Sequence, residues 1–223
     1  MTIDDFDHAE FERLTGLGLP ASTALHVLRG KRNEDFEVAH VETTARAREW
    51  CAGLTALPQG LAPHWDLAPE NYYLALDGEC PGLADTREWV LICADSAEVL
   101  GALTYASTRD KDPWHEDYRH KSCGTAYRWS VGLAVTPPLL AIDRSGIQIA
   151  GGMHRFHLAV ACGAGEMPFL VEPAALPAIV ALLPSARVIK RVAGRMLAGV
   201  LVVIASRPTQ RNPRIRRTLS SIR

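Results

Sequence analysis

The stretch 136–173, TPPLLAIDRSGIQIAGGMHRFHLAVACGAGEMPFLVEP, constrains what this chain can fold into more than any other part of it. Two apolar runs, 139–142 and 147–150, flank Asp143-Arg144-Ser145-Gly146, which predicts a β-hairpin whose turn uses Gly146 at positive φ. Gly151-Gly152 then breaks the chain. From His154 the apolar positions Phe156, Leu158, Ala159, Val160 and Cys162 predict a short helix stopped by Gly163. Residues 167–171 predict a buried strand, closed by Pro173. The order is strand, turn, strand, Gly-Gly, helix, strand, which places the chain in the α+β class, a small mixed sheet flanked by helices.

Two glycines at a strand-to-helix junction leave backbone N–H groups exposed at the positive end of a helix dipole, a setting suited to an anion and above all to phosphate. His154 and Arg155 stand in the first turn of that helix. A guanidinium there can grip a phosphate through two parallel hydrogen bonds. Gly151, Gly152, His154 and Arg155 are therefore the candidate phosphate-holding residues, with the tight structural connection as the plainer alternative.

The sequence Gly151-Gly152-Met153-His154-Arg155, preceded by a hairpin with Pro137-Pro138-Leu139-Leu140 and followed by an Ala-rich helix, a Gly and a strand, resembles the core of the ParB/sulfiredoxin superfamily. Gly152, His154 and Arg155 match the family's Gly-x-His-Arg box, and Gly151 matches the additional glycine of the sulfiredoxin version. The resemblance implies binding of ATP or another NTP with Mg²⁺. Because the family includes free-serine kinases, it also implies a phosphotransferase acting on a small molecule. Met153 stands where sulfiredoxins keep their catalytic cysteine, and a thioether cannot serve as a thiolate nucleophile. Sulfiredoxin chemistry is thus not expected. The arginine-rich box and the helix-turn-helix domain of the partition proteins have no convincing counterpart here.

Residues 107–129, STRDKDPWHEDYRHKSCGTAYRW, are too polar for a core and too aromatic for a plain linker, the profile of a binding loop or lid. Trp114 or Tyr118 is placed to stack on a base, and Arg119 or Lys121 to meet phosphate. Glu116 and Asp117 are the candidate general bases, since phosphoryl transfer to a hydroxyl needs a carboxylate near the nucleophile. The spacing of His115 and His120 does not fit a helical metal-ligand pair, so no metal site is predicted. His157 reads as a core histidine bonded to a backbone carbonyl, and Asp143 as a turn residue.

Before this region the chain is helical and loop-like. Residues 4–15 predict a helix, Gly16, Gly18 and Pro20 a break, and 21–29 a second helix ended by Gly30. The pair has the outline of a helix-turn-helix presenting Ser22, Thr23 and His26, with two simply packed helices as the favoured reading. A longer helix is expected over 36–57. A Pro-punctuated loop follows over 57–71, where Trp65 pins the loop to the body and His64, Trp65 and Asp66 are candidates to line a pocket. Strands are expected at 72–76, before an Asp77-Gly78 turn, and at 89–93. A helix is expected from Asp95-Ser96 to about 105.

The charge is unevenly spread. Beyond Glu172 there is no acidic residue and there are ten Lys and Arg, so the first 172 residues carry a net charge of −11 against −1 for the whole chain. A basic end on an acidic body points to an anionic partner or to an intramolecular clamp. Residues 174–183 predict a helix with Pro177 in its first turn. Arg187, Lys190, Arg191 and Arg195 fall at helical spacing, 196–205 is a short apolar run, and 207–223 reads as a basic disordered tail. Five widely spaced cysteines with no CxxC pair argue against a disulfide framework and, with an acidic opening lacking a leader's apolar run, fit a cytoplasmic protein with no membrane span.

The expected division is a helical portion over 1–60, the superfamily-like core over 61–184, a basic and apolar element over 185–206, and the tail. Two further readings stay open: a nucleotide-switched, partition-type DNA binder using the basic end, and a non-catalytic interaction module.

Overall fold

In a computed structural model, which describes residues 7–30, 32–76 and 88–192, the chain builds a mixed five-stranded sheet flanked by helices. Seven α-helices accompany it among the described residues, so the α+β class expected from the sequence is the class observed. The hairpin comes first in the logic of the fold. Strands β2 (Leu139–Asp143) and β3 (Gly146–Gly151) pair antiparallel around Gly146 at φ 146°, as its position predicted. A Cβ on Gly146 would sit 2.8 Å from the Ala102 carbonyl oxygen, so this glycine also permits a close backbone approach.

Helix α6 (Met153–Ala161) returns the chain to strand β4 (Glu166–Val171), which runs parallel to β2. Strand β1 (Trp89–Asp95) pairs with β4 on one side and with β5 (Arg187–Val192) on the other, both antiparallel. The sheet order is β3-β2-β4-β1-β5. Central β1 alternates between two buried faces. Val90, Ile92 and Ala94 join Phe156, Leu158, Met167 and Phe169 in the main core, whereas Trp89 and Leu91 join Tyr72, Leu139 and Leu170 on the opposite face. A continuous apolar run is what a strand covered on both sides requires.

Three of the helices begin where a short polar side chain can take their free N–H groups. Asp7 caps α1 (His8–Gly16), Asn33 caps α3 (Glu34–Ala52) and Asp95 caps α4 (Ser96–Ala102). Helices α1 and α2 (Ala21–Leu28) pack through Leu14 and Ala24, with Leu19 of the connecting turn between them. α3 stops at Ala52, short of the expected 57. Its Cys51 belongs to the same core cluster as Ile92 and Phe169, so the helical portion and the sheet share a core. Helix α7 (Leu176–Leu182) has Pro177 in its first turn, as expected.

Three expectations are corrected. The expected lid over 107–129 is mostly helix, α5 (Glu116–Ser130): Ser122, Cys123, Ala126 and Trp129 recur at helical spacing and bury one stripe against the body. Its polar residues are the wet faces of that helix. In place of the strand expected at 72–76, residues 72–75 belong to a 3₁₀ helix, Pro69–Ala75, where Asn71 donates to Asp66 Oδ2 at 2.7 Å and the buried Tyr72 hydroxyl donates to the Leu67 carbonyl at 3.0 Å. The cations Arg187, Lys190 and Arg191 lie on the edge strand β5 and not on a helix face; its pairing with β1 is interrupted by a bulge between Leu91 and Ile92. The Asp77-Gly78 turn, Arg195, the apolar run 196–205 and the tail 207–223 lie outside the described residues. Trp65 pins its loop as expected, meeting Trp129 edge-on at 5.4 Å while Trp129 Nε1 donates to the His64 carbonyl.

The cysteine expectation also changes. Cys51 on α3 and Cys123 on α5 are joined as a disulfide across 72 residues, with 6.1 Å between their Cα atoms. Two sparse cysteines far apart in sequence carried no spacing signal for this. No helix among the described residues is long and apolar enough to cross a membrane.

Candidate functional site

The strand-to-helix junction forms as the two glycines require. Gly151 ends β3, and Gly152, at φ 81°, occupies the left-handed region and is the N-cap of α6 without a side-chain cap. Both are buried. Met153 is partly buried against the main core.

The surface above the junction differs from the expected open cradle of amides. Arg155 folds back across it: a Cβ on Gly152 would lie 2.5 Å from Arg155 Nη2 and 2.6 Å from Nε. The same Nη2 donates to the Ala75 carbonyl at 3.4 Å. An approaching anion therefore meets the guanidinium, and the glycines serve by leaving room for it. The physical reason is that a long flexible cation one turn into the helix reaches back over its own N-terminus.

Arg155 lines a cleft of about 430 Å³. One wall is α3, with Phe36, His40, Thr43 and Thr44, and the facing wall is α5, with Lys121, Gly124, Thr125 and Arg128. Asp66, Asn71 and Thr136 complete it. Three cations thus face one cavity against a single carboxylate. That carboxylate is held in place, accepting from Asn71 Nδ2 at 2.7 Å and from the Ala68 N–H at 3.0 Å. Arg128 Nη2 lies 3.3 Å from His40 Nδ1. A guanidinium can only donate, so Nδ1 accepts and a neutral His40 carries its proton on Nε2. Burial first, and then the Arg128 charge, pull the His40 pKa below the ordinary imidazole range; burial also lowers that of Arg128.

Three residues singled out from the sequence, Arg155 and Lys121 as phosphate contacts and Asp66 as a pocket-lining candidate, come together in this cleft. His154 points elsewhere, its ring 6.2 Å from that of Tyr118, whose hydroxyl donates to Asp110 at 3.2 Å and whose face carries the Arg109 guanidinium at 4.7 Å. Arg119 donates to the Leu54 carbonyl at 3.0 Å, fastening α5 to the end of α3. Trp114 is 7% exposed and meets Trp50 edge-on, so it is a core residue and not a platform for a base. Glu116 and Asp117 occupy the exposed first turn of α5, away from the cleft lining, and Asp117 pairs with Lys111 at 2.6 Å. That hydrogen bond holds the Asp117 carboxyl below its usual range. His157 is the expected core histidine: Nε2 donates to the Ser107 carbonyl at 2.9 Å.

His40, Arg128 and the threonines carry no local sequence signal that marks them as cleft residues. Arg128 follows Lys121 by seven residues, two helical turns, so the pairing was visible only once α5 is a helix. Among the described residues no group of three or more His, Cys, Asp and Glu is arranged to hold a metal ion. The cleft's donor set suits phosphate oxygens, and a divalent cation there would be carried chiefly by the ligand's own phosphates. Comparison with protein-family models, curated proteins and solved structures gives no match to this chain.

Proposed function

We propose that this protein binds a nucleoside polyphosphate, ATP or another NTP with Mg²⁺, in the cleft between α3, α5 and the β3–α6 junction, and uses it as a phosphoryl donor to a small molecule. One observation carries the reading: Arg155, Lys121 and Arg128, from two separate elements, face the same cavity, which is large enough for a nucleotide. Converging guanidinium and ammonium groups suit the charge and the oxygen geometry of a polyphosphate. The resemblance of residues 151–155 to the Gly-x-His-Arg box supports the same ligand class. In such a reaction the chain positions the donor and neutralises charge at the transferring group. When bound, Mg²⁺ would be carried by the ligand's phosphates and would neutralise part of their charge. Asp66, fixed by Asn71 and Ala68, is the cleft's own carboxylate and takes the role of orienting the acceptor, in place of Glu116 and Asp117.

Isothermal calorimetry with ATP, GTP, CTP and UTP, with and without Mg²⁺, tests the binding claim on the parent chain and on Arg155→Ala. The expected result is saturable binding by the parent that Arg155→Ala weakens at least tenfold. Equal affinity of the two proteins removes the site. The exposed cations of β5, Arg187, Lys190 and Arg191, keep a DNA-contacting reading in view. It predicts duplex binding that falls steeply with salt, and a gel shift without a complex at low salt ends it.

A further inference from the structure

The two walls of the cleft are joined by the chain's described disulfide. His40 and Thr44 line the cleft from α3, and Cys51 follows Thr44 by seven residues, two turns along the same helix. On α5, Cys123 stands between Lys121 and Gly124, both of which line the cleft. We propose that Cys51–Cys123 is a reversible disulfide whose redox state sets the cleft's affinity for its ligand. The proposal rests on the polyphosphate reading above.

The other ties between these helices divide into two kinds. Near the disulfide, Trp50 meets Tyr127 edge-on at 5.8 Å and Arg119 donates to the Leu54 carbonyl. At the far end of the cleft, the tie is Arg128 to His40. That contact uses a cation the ligand itself would claim, so ligand binding weakens it. The disulfide holds the same two helices without competing for the ligand.

Both redox states suit the packing. The Cys123 sulfur lies 3.0 Å from the Ala47 carbonyl oxygen, so after reduction its thiol hydrogen has an acceptor in place. A reduced Cys51 remains a small buried apolar group in the main core. Exchange with a dithiol runs in two steps. Both cysteines are buried, so exchange requires a local parting of α3 from α5; a reductant thiolate then attacks one sulfur, forming a mixed disulfide and releasing one protein thiolate, which takes a proton. The reductant's second thiol then displaces the other protein sulfur, leaving a cyclic oxidised reductant and two protein thiols. The reverse uses a disulfide oxidant such as oxidised glutathione.

Reduction frees α3 to move against α5, and the ligand must then order the two walls that the disulfide had already fixed. A loss of about fivefold in affinity is expected on reduction. Coupling is reciprocal, so saturating ligand shifts the thiol–disulfide equilibrium toward the disulfide by the same factor.

The test uses the full chain equilibrated with reduced or oxidised glutathione, with the Cys51–Cys123 state read by mass spectrometry of peptides. ATP with Mg²⁺ is titrated into each form by calorimetry, and into Cys51→Ala/Cys123→Ala. The oxidised parent should bind about fivefold more tightly than the reduced parent, and the double variant should match the reduced form in either buffer. The glutathione ratio at half-oxidation, measured on the parent with and without ATP, reads the coupling without any variant and should move about fivefold. Equal affinities for verified oxidised and reduced forms overturn the redox proposal and leave the binding reading intact. So does the absence of a Cys51–Cys123 peptide after oxidation. No binding in either form removes both.

Discussion

Gly152→Ala separates the two duties of the junction. At φ 81° an alanine enters the left-handed region, which costs about 1–2 kcal/mol. Its new Cβ would also fall 2.5–2.9 Å from three guanidinium atoms of Arg155. The far end of a flexible side chain can move away, so the steric term adds little to the stability loss, but Arg155 gives up its bond to the Ala75 carbonyl and its position over the cleft. For a chain of this size 1–2 kcal/mol lowers the melting temperature by about 2–8 °C. A charge-assisted hydrogen bond is worth about 1.5–3 kcal/mol, so nucleotide affinity should fall roughly ten- to hundredfold. Arg155→Ala should lose the same affinity without the backbone penalty, and in the double variant the affinity losses should not add, because both act through one guanidinium. Thermal denaturation and calorimetry on the parent and the three variants decide it. A folded Gly152→Ala protein that binds nucleotide as tightly as the parent would refute the claim that Arg155 acts from its place over Gly152.

Other perturbations follow from the same geometry. Arg128→Met should weaken nucleotide binding about tenfold and Lys121→Met by less, since Lys121 is exposed and Arg128 is not, while Asp117→Asn at the outer end of α5 should change calorimetric affinity by less than about twofold. His157 has a folded pKa below the ordinary imidazole value, chiefly through burial, so the unfolded chain takes up a proton first as pH falls. Stability is full above about pH 6.5 and declines as pH drops toward the folded pKa; a melting curve that is flatter between pH 7 and 5 for His157→Gln than for the parent is the expected outcome. Phe169→Ala, at a fully buried position in β4, should cost about 3–5 kcal/mol, measured by urea denaturation.

The hairpin, the Gly-Gly junction, α6 and β4 were legible because each carried its own local signal: turn chemistry at Gly146, breakers at Gly151 and Gly152, and an apolar period that changes from strand to helix. α5 was not, since its buried stripe is made of Ser122, Cys123, Ala126 and Trp129, and small or polar residues against a close neighbour give little hydropathy contrast. The same small residues let α5 lie near α3. Strand β5 misled for the opposite reason. Its cations repeat at intervals that fit a helix, and pairing with β1, a partner 94–103 residues away, overrode that local preference. The site divided along similar lines. Arg155 and its glycines are adjacent in sequence and could be read together, whereas His40, Asp66 and Arg128 meet only through the packing of α3, α5 and the loop before the 3₁₀ helix. Trp114 looked like a base platform because exposure cannot be read from an aromatic residue in a polar segment.

Heteronuclear NMR of the isotope-labelled chain, titrated with ATP and Mg²⁺, tests the central claim most directly. The account predicts that the largest shifts map to the amides of His40, Thr43, Thr44, Thr125 and Arg128 and to the Nε–H of Arg155, with saturation at one equivalent. Shifts confined to other elements, or none at millimolar ATP, would contradict it.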